Sequence, residues 1–252
     1  MSTAAEPALV LDGVSRAFKG FMAVRDVSLS VFDQELHCII GPNGAGKTTL
    51  FNLVGGAVFP QSGRVLFEGQ DITRWSADAR ARAGVARSFQ KPRIFEALTV
   101  FENVRLAAQI HHQSFNPVRR RTDRGLLEET WKGLNLAGLV NRADEIAAVL
   151  SHAERAWLQL AMIAARPSKL VLLDEPTAGM AHHDVVRAGD FIRDLHRGRT
   201  TVIVEHDLDF VKNIADRISV LDGGQLVVTG TPKEIQSDRA VRAAYLQEVV
   251  PV

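Results

Sequence analysis

One stretch of the chain decides its fold, and it reads Gly41-Pro42-Asn43-Gly44-Ala45-Gly46-Lys47-Thr48-Thr49. It matches the phosphate-loop pattern G-x-x-x-x-G-K-[ST], between the apolar run 36–40 and residues 50–54, which keep helical spacing. Glycines let backbone N–H groups close around a polyphosphate, and the positive N-terminal end of the next helix points at the same place. A glycine-rich turn with a chance Lys-Thr pair is the alternative, but the strand, loop and helix order favours a nucleotide site.

Two side chains of the loop have distinct predicted roles. Lys47 is expected to contact the outer phosphates, and the Thr48 hydroxyl to bind Mg²⁺, while the rest of 41–49 surrounds the phosphates. Kinases, GTPases, motors and transport ATPases share this pattern, so the loop alone does not name a function.

The composition is that of an ordinary globular protein. Of 252 residues, 46% are hydrophobic and 23% are charged, and 30 Lys and Arg face 29 Asp and Glu. A net charge of +1 gives no global attraction to nucleic acid or to an anionic membrane, and Arg119-Arg120-Arg121 is interpreted as a solvated face. The single cysteine, Cys38, suits a reducing compartment. With neither a signal-peptide pattern nor a long apolar run, the chain is predicted to be soluble and cytoplasmic.

The order of patterns predicts an α/β protein. Alternating residues in 9–32 and 64–69 indicate half-buried antiparallel strands, whereas 170–173 and 200–204 are continuous apolar runs typical of central parallel strands. Helical spacing is predicted over 73–83, 98–111, 126–139 and 143–150. We expect a flexible start, 1–8, followed by a single domain, 9–252, with a helical subdomain at about 92–165 inserted in a nucleotide-binding core.

Two buried strands end in residues suited to phosphate chemistry. Asp174 and Glu175 follow one strand, and His206 follows the other. Ligands of open α/β sheets bind at the carboxyl ends of strands, so Asp174 fits a Mg²⁺ ligand and Glu175 fits a base or an orienting group for water. A plain polar cap is the alternative for His206, which could otherwise reach the γ-phosphate.

Three further positions have both a structural and a functional interpretation. Phe18 fits a hairpin or core aromatic, which periodicity favours, or a stacking platform for a purine. Gln90 ends a short strand and is either solvated or directed at the γ-phosphate and metal. Ser151 and Glu154 form a capping box, which predicts a helix N-terminus that is only well capped or also binds phosphate.

Taken in order, these residues resemble the ABC-type ATPase set over nearly the whole chain. The resemblance implies a RecA-like phosphate-loop core with an antiparallel β subdomain and an inserted helical subdomain, binding ATP and Mg²⁺. It implies that Phe18 stacks on adenine, that Gln90 senses metal and γ-phosphate, that Glu175 is the catalytic carboxylate and that His206 is the switch histidine. Residues 150–154 are similar to the signature loop, which contacts ATP on the opposite subunit, and 178–180 lie at the subunit-crossing loop.

The signature loop departs from the family pattern. That pattern reads Leu-Ser-Gly-Gly-Gln, whereas this chain has His152, Ala153 and Glu154 after Ser151. Ala153 replaces a glycine whose backbone approaches the γ-phosphate, and its Cβ is expected to crowd the nucleotide.

The stretches 35–47, 84–90, 150–152 and 178–180 are similar to the ATP-binding subunits of branched-chain amino acid importers and of their relatives for urea and short amides. The resemblance implies a second ABC ATPase subunit, transmembrane permease subunits and, indirectly, a solute-binding protein, at the inner face of the cell membrane. It implies no nucleic-acid partner.

Other functions explain the sequence less well. A soluble ABC ATPase acting on DNA or ribosomes would usually carry a long coiled-coil insert or a tandem domain. A catalytically weakened partner of an active twin would explain Ala153, although Lys47, Glu175 and His206 are intact. A phosphate-loop kinase leaves Ser151 and His206 unexplained.

Overall fold

The computed structural model describes residues 6–88, 93–109 and 124–238. The strands are β1 Pro7–Phe18, β2 Phe21–Phe32, β3 Leu36–Ile40, β4 Ser62–Phe67, β5 Gln70–Asp71, β6 Val85–Arg87, β7 Leu170–Asp174, β8 Thr200–Val204, β9 Arg217–Asp222 and β10 Gln225–Gly230. The helices are α1 Lys47–Val54, α2 Ala77–Arg82, α3 Val100–Ala108, α4 Arg124–Leu136, α5 His152–Ala164, α6 His182–His196, α7 Leu208–Ile214 and α8 Pro232–Ser237.

A six-stranded sheet forms the core, in the order β10-β9-β3-β8-β7-β6. The five strands from β9 to β6 are parallel, and β10 pairs antiparallel with β9. Every residue of β3, β7 and β8 is buried, which explains their continuous apolar sequence, since both sheet faces are covered. The carboxyl ends of these three strands therefore meet at one edge.

A second, antiparallel sheet has the order β2-β1-β4-β5, as predicted from the alternating residues. Its apolar side chains share one core with α1 and one face of the central sheet, and they include Leu9, Leu11, Val24, Val27 and Val65. This packing holds β2 near the phosphate loop through the turn between β9 and β10: Arg25 N donates to Gly224 O at 2.7 Å, and Gly224 N donates to Ala45 O of the loop at 3.0 Å.

Three helices, α3, α4 and α5, lie between β6 and β7 in the chain and contact one another. Their buried side chains, among them Val104, Leu134 and Trp157, join the apolar core on the other face of the central sheet. The helical part of the predicted α/β fold is therefore present, whereas the bounds 92–165 of a subdomain stay a prediction.

The helix predicted over 143–150 is wrong. Only two short 3-10 turns, Val140–Arg142 and Ala147–Val149, lie in this region. Residues 143–147 instead bond to the start of α3: Val100 N donates to Glu145 O at 2.9 Å and Ala147 N donates to Leu98 O at 2.9 Å. The carbonyls of Glu145 and Ala143 accept from the N–H groups of Val100 and Phe101, which the first turn of α3 leaves free, and this long-range pairing replaces helical hydrogen bonds.

Along the described part of the chain, no helix combines the length and apolar character needed to cross a membrane.

Candidate functional site

Three positions of the phosphate loop require glycine, because of their backbone conformation or because neighbouring backbone leaves no room for a Cβ. Gly44 and Gly46 have φ values of 82° and 99°, in the left-handed region. A Cβ on Gly41 would overlap the carbonyl oxygen of Leu221, and one on Gly46 would overlap that of Ala23. The loop therefore fits between the ends of β9 and β2, and α1 begins directly after it at Lys47.

The Lys47 side chain lies inside the loop. Its Nζ donates to Gly41 O at 2.6 Å and to Pro42 O at 3.0 Å, and the residue is only 7% exposed. Burial lowers the pKa of Lys47, and the carboxylates of Glu175, Asp174 and Glu205 oppose this change. A cation held inside the loop by two of its carbonyls is well placed to bind the outer phosphates of a nucleotide.

Asp174 and Glu175 lie at the end of β7, where the sheet edge opens toward Lys47. Burial raises the pKa of Asp174, and the negative charge of Glu175 raises it further, while Arg87 and Lys47 oppose both effects. Glu175 has a φ of 46°, and its N–H donates to Val204 O at 2.9 Å. A non-glycine residue in this conformation is strained, and such strain is often found at functional positions.

A third carboxylate, Glu205, was not singled out from the sequence as a site residue. It is fully buried and accepts hydrogen bonds from Thr177 Oγ1 at 2.6 Å and from His206 N at 3.0 Å. His206 itself is 59% exposed, with Nδ1 at 3.5 Å from Glu205 Oε2. The sequence does contain a sign of Glu205: it is a carboxylate at the end of the buried strand β8, just as Asp174 is at the end of β7.

A cavity of about 390 Å³ lies over the loop. Its described lining consists of Phe21, Ala23, Asn43, Gly44, Ala45, Gly46, Lys47, Thr48, Thr49 and Glu175. The structure thus places the predicted phosphate-binding loop and Glu175 around one space. Phe21 and Ala23, on the neighbouring hairpin, were missed because alternation in a strand does not show which face meets the loop.

The chemistry of the donors fits Mg²⁺. The Thr48 hydroxyl borders the cavity, and it would supply Mg²⁺ with a hard oxygen ligand together with the Asp174 carboxylate. The carboxylates of Asp174 and Glu175 repel each other, and a bound cation would offset this repulsion. No cluster of three or more His, Cys, Asp or Glu side chains suited to a metal is present in the described ranges. An all-protein metal cage is not needed where phosphate oxygens supply ligands.

Ser151 caps α5 as predicted. Its Oγ accepts from Glu154 N at 3.3 Å, and Glu154 Oε2 accepts from Ser151 N at 2.8 Å. These hydrogen bonds, with Arg142 beside the carboxylate, lower the pKa of Glu154. Ser151, His152 and Ala153 are exposed, and none of the residues 151–154 is among those that line the loop cavity.

Another predicted residue, Phe18, lies outside the cavity lining. Phe18 ends β1, is 40% exposed and has the guanidinium carbon of Arg16 at 4.9 Å from its ring centroid. Phe18 is not among the residues that line the cavity. Gln90 lies outside the described residues.

Comparison with known proteins agrees with this site. A family model described as ABC transporter matches residues 24–178, and one described as branched-chain amino acid ATP-binding cassette transporter matches 225–246. The chain is 34% identical to the high-affinity branched-chain amino acid transport ATP-binding protein LivG of Escherichia coli, covering 96% of this chain and 99% of LivG. It is 33% identical to BraF of Pseudomonas aeruginosa, whose name gives the same activity, over 96% and 98% of the two chains.

A solved structure shares the fold. MJ1267, an ATP-binding cassette of an ABC transporter, superposes with a TM-score of 0.82 at 29% identity, covering 95% of this chain and 98% of that one. The first family match spans more than half of the chain and includes the phosphate loop, Asp174 and Glu175. This chain therefore belongs to the ABC transporter family, as one of its ATP-binding, ATP-hydrolysing subunits.

Proposed function

We propose that this chain drives an importer of branched-chain amino acids, as one of two ATPase subunits that bind ATP between them. The observation that carries the proposal is the convergence of Lys47, Asp174 and Glu175 beside the loop cavity, with His206 at the same sheet edge. Such a site suits the transfer of a phosphoryl group to water, because catalysis there consists of positioning and charge stabilisation.

Each side chain has one proposed task. Lys47 neutralises charge on the outer phosphates, Glu175 orients the attacking water and accepts its proton, and His206 holds the γ-phosphate. Thr48 and Asp174 would hold Mg²⁺, which supplies further charge neutralisation when bound. Gln90 is proposed to sense the metal and the γ-phosphate, and Phe18 to stack on adenine.

The capped end of α5 is proposed to serve the other subunit. Residues 151–153 stand exposed at the N-terminus of a 13-residue helix, and residues 151–154 do not line this chain's own cavity. The first-turn N–H groups that the capping box does not use, together with the positive dipole end, suit the γ-phosphate of ATP held by a second chain. Residues 178–180 are proposed to lie where the two subunits cross.

The importer substrate is proposed from the relatives. LivG and BraF are named for branched-chain amino acid transport, and the match at 225–246 carries the same description. Permease subunits and, indirectly, a solute-binding protein are the proposed partners, with this chain on the inner face of the membrane. Import of urea or short amides stays the alternative.

One observation favours a second candidate, a catalytically weakened partner of an active ABC ATPase. Ala153 stands where the family has glycine, and the carboxylate of Glu154 lies at the helix end that would face a phosphate. Arg142 pairs with Glu154 and offsets this negative charge. The intact Lys47 and Glu175 support an active site on this chain's own side of the pair.

Uptake by reconstituted vesicles tests the importer proposal. Vesicles would carry this chain, its second ATPase subunit, the permease and the solute-binding protein, with ATP inside. We expect ATP-driven uptake of labelled leucine, lost with Glu175→Gln and kept with the exposed control Glu128→Gln. If the vesicles took up urea but not leucine, the proposed substrate would be wrong. If they hydrolysed ATP but took up neither solute, the proposed role as an importer subunit would be wrong.

A further inference from the structure

The hairpin between β1 and β2 presents two phenyl rings on one face. Its two-residue turn, Lys19 with φ 48° and Gly20 with φ 86°, has the positive φ values of a tight hairpin turn. The register pairs Phe18 directly with Phe21, so their Cβ atoms lie about 5 Å apart on the same side of the sheet. The two side chains therefore start on the same side of the hairpin tip.

The ring nearer to the phosphate loop belongs to Phe21. Phe21 and Ala23 both line the cavity with 43–49 and Glu175, and the β1–β2 register shifts next to Ala23. Phe21 is the one aromatic residue in the described lining. Phe18 does not line it, and the Arg16 guanidinium, at 4.9 Å, packs on the Phe18 ring.

Phe21 is also the most exposed large apolar side chain in the described part of the chain, at 68%. A single exposed apolar side chain needs no explanation by itself. Here, however, the exposed ring stands at the rim of a nucleotide cavity, within the same lining as the residues expected to hold the phosphates. A ligand with one flat apolar end and one polyanionic end matches both parts of this lining.

We propose that Phe21 is a second base-contacting residue, which packs against the purine or ribose of the nucleotide whose phosphates lie in the loop 41–49. This proposal rests on the proposed function, because it deepens the same site. Phe21 lines the cavity, whereas Phe18, beside it in the hairpin, packs against Arg16. Stacking on a ring tolerates different bases, so Phe21 adds affinity for the nucleoside end rather than choice among bases.

A pair of ligands separates base contact from phosphate contact. ADP carries the base and ribose, whereas inorganic pyrophosphate offers phosphates alone, and neither is hydrolysed at the γ-position. Phe21→Ala removes the ring, and Phe21→Trp keeps an aromatic face. Met22→Ala is the matched control, because Met22 is 37% exposed and points to the opposite face of the strand.

Isothermal titration of the full chain with each ligand is the test, with thermal unfolding to verify that every variant is folded. We expect Phe21→Ala to weaken ADP about tenfold and to leave pyrophosphate unchanged, Phe21→Trp to keep ADP affinity, and Met22→Ala to change neither. Equal weakening of ADP and pyrophosphate would overturn the proposal, because the ring would then act through the packing of the loop.

Two other outcomes are informative. Unchanged ADP affinity in Phe21→Ala would overturn the proposed base contact. If that variant also lost the ATP-driven pairing of chains, the Phe21 ring would instead contact the second subunit. If the unaltered chain binds neither ADP nor pyrophosphate, the proposed function itself fails. Failure of the Phe21 contact and failure of the nucleotide site are thus distinguished.

Discussion

At the scale of one residue, the buried carboxylate of Asp174 lowers the folding stability of the protein, although the proposed metal site needs it. Its side chain is buried, and burial together with the charge of Glu175 raises its pKa. The unfolded chain therefore loses this proton at lower pH than the folded chain. As pH rises through the window between the two pKa values, the folded state loses stability, and the full cost is present above both values.

Asp174→Asn is therefore expected to stabilise the nucleotide-free, metal-free protein while abolishing ATP hydrolysis. The gain should be larger near about pH 7.5 and should shrink toward about pH 3, below the ordinary carboxyl pKa of about 3.9, where the carboxyl is mostly protonated in both states. Each 1 kcal/mol corresponds to roughly 2 to 4 °C in the unfolding midpoint of a chain of this size. Calorimetry at the two pH values measures it, with the exposed Asp190→Asn as control. A lower midpoint for Asp174→Asn at neutral pH would contradict the burial cost.

At the scale of the element, the phosphate-loop helix α1 is held at its far end by Arg80. This guanidinium is fully buried and donates to the carbonyls of Leu53 and Val54, at 2.6 Å each, in the last turn of α1. It also donates to the carbonyls of Ile72, Thr73 and Trp75. Burial lowers the pKa of Arg80 to about 10, and Asp71 opposes that change. A cation there complements the negative end of the helix dipole.

Arg80→Met should lower the free energy of unfolding by about 3 kcal/mol, since several buried carbonyls lose their donor. Arg80→Lys should recover only part of this loss, because an ammonium cannot reproduce the planar fork of donors. Denaturant titration measures both changes, and the exposed Arg82→Met on the same helix is the control, expected within about 0.5 kcal/mol. A loss below about 1 kcal/mol for Arg80→Met would show that Arg80 does not hold α1.

Several elements were predictable because their signals are local. The phosphate loop, the buried strand that ends at Asp174 and the capping box at Ser151 each depend on neighbouring residues. The segment 143–150 was not predictable in this way, since its backbone pairs with residues 98–101, about 45 positions earlier. Likewise the left-handed φ of Glu175 and the position of Phe21 beside the loop arise only when distant strands come together.

At the scale of the whole molecule, two chains are proposed to share each ATP, so the signature loop of one chain affects turnover in the other. Ala153→Gly removes the Cβ that would crowd the γ-phosphate, and we expect a several-fold increase in ATP turnover when this chain pairs with itself. The exposed Ala148→Gly, in the turn before α5, is the control. Unchanged turnover in Ala153→Gly would show that Ala153 does not limit the reaction.

Steady-state hydrolysis of ATP with Mg²⁺, by the unaltered chain and by Glu175→Gln, tests the proposed ATPase mechanism most directly. The exposed Glu128→Gln is the matched control, and light scattering in ATP follows the pairing of chains. We expect Glu175→Gln to lower turnover by roughly 10² to 10⁴ while still binding ATP and pairing in its presence. Turnover at the normal rate in Glu175→Gln would contradict the role of Glu175 in orienting the attacking water.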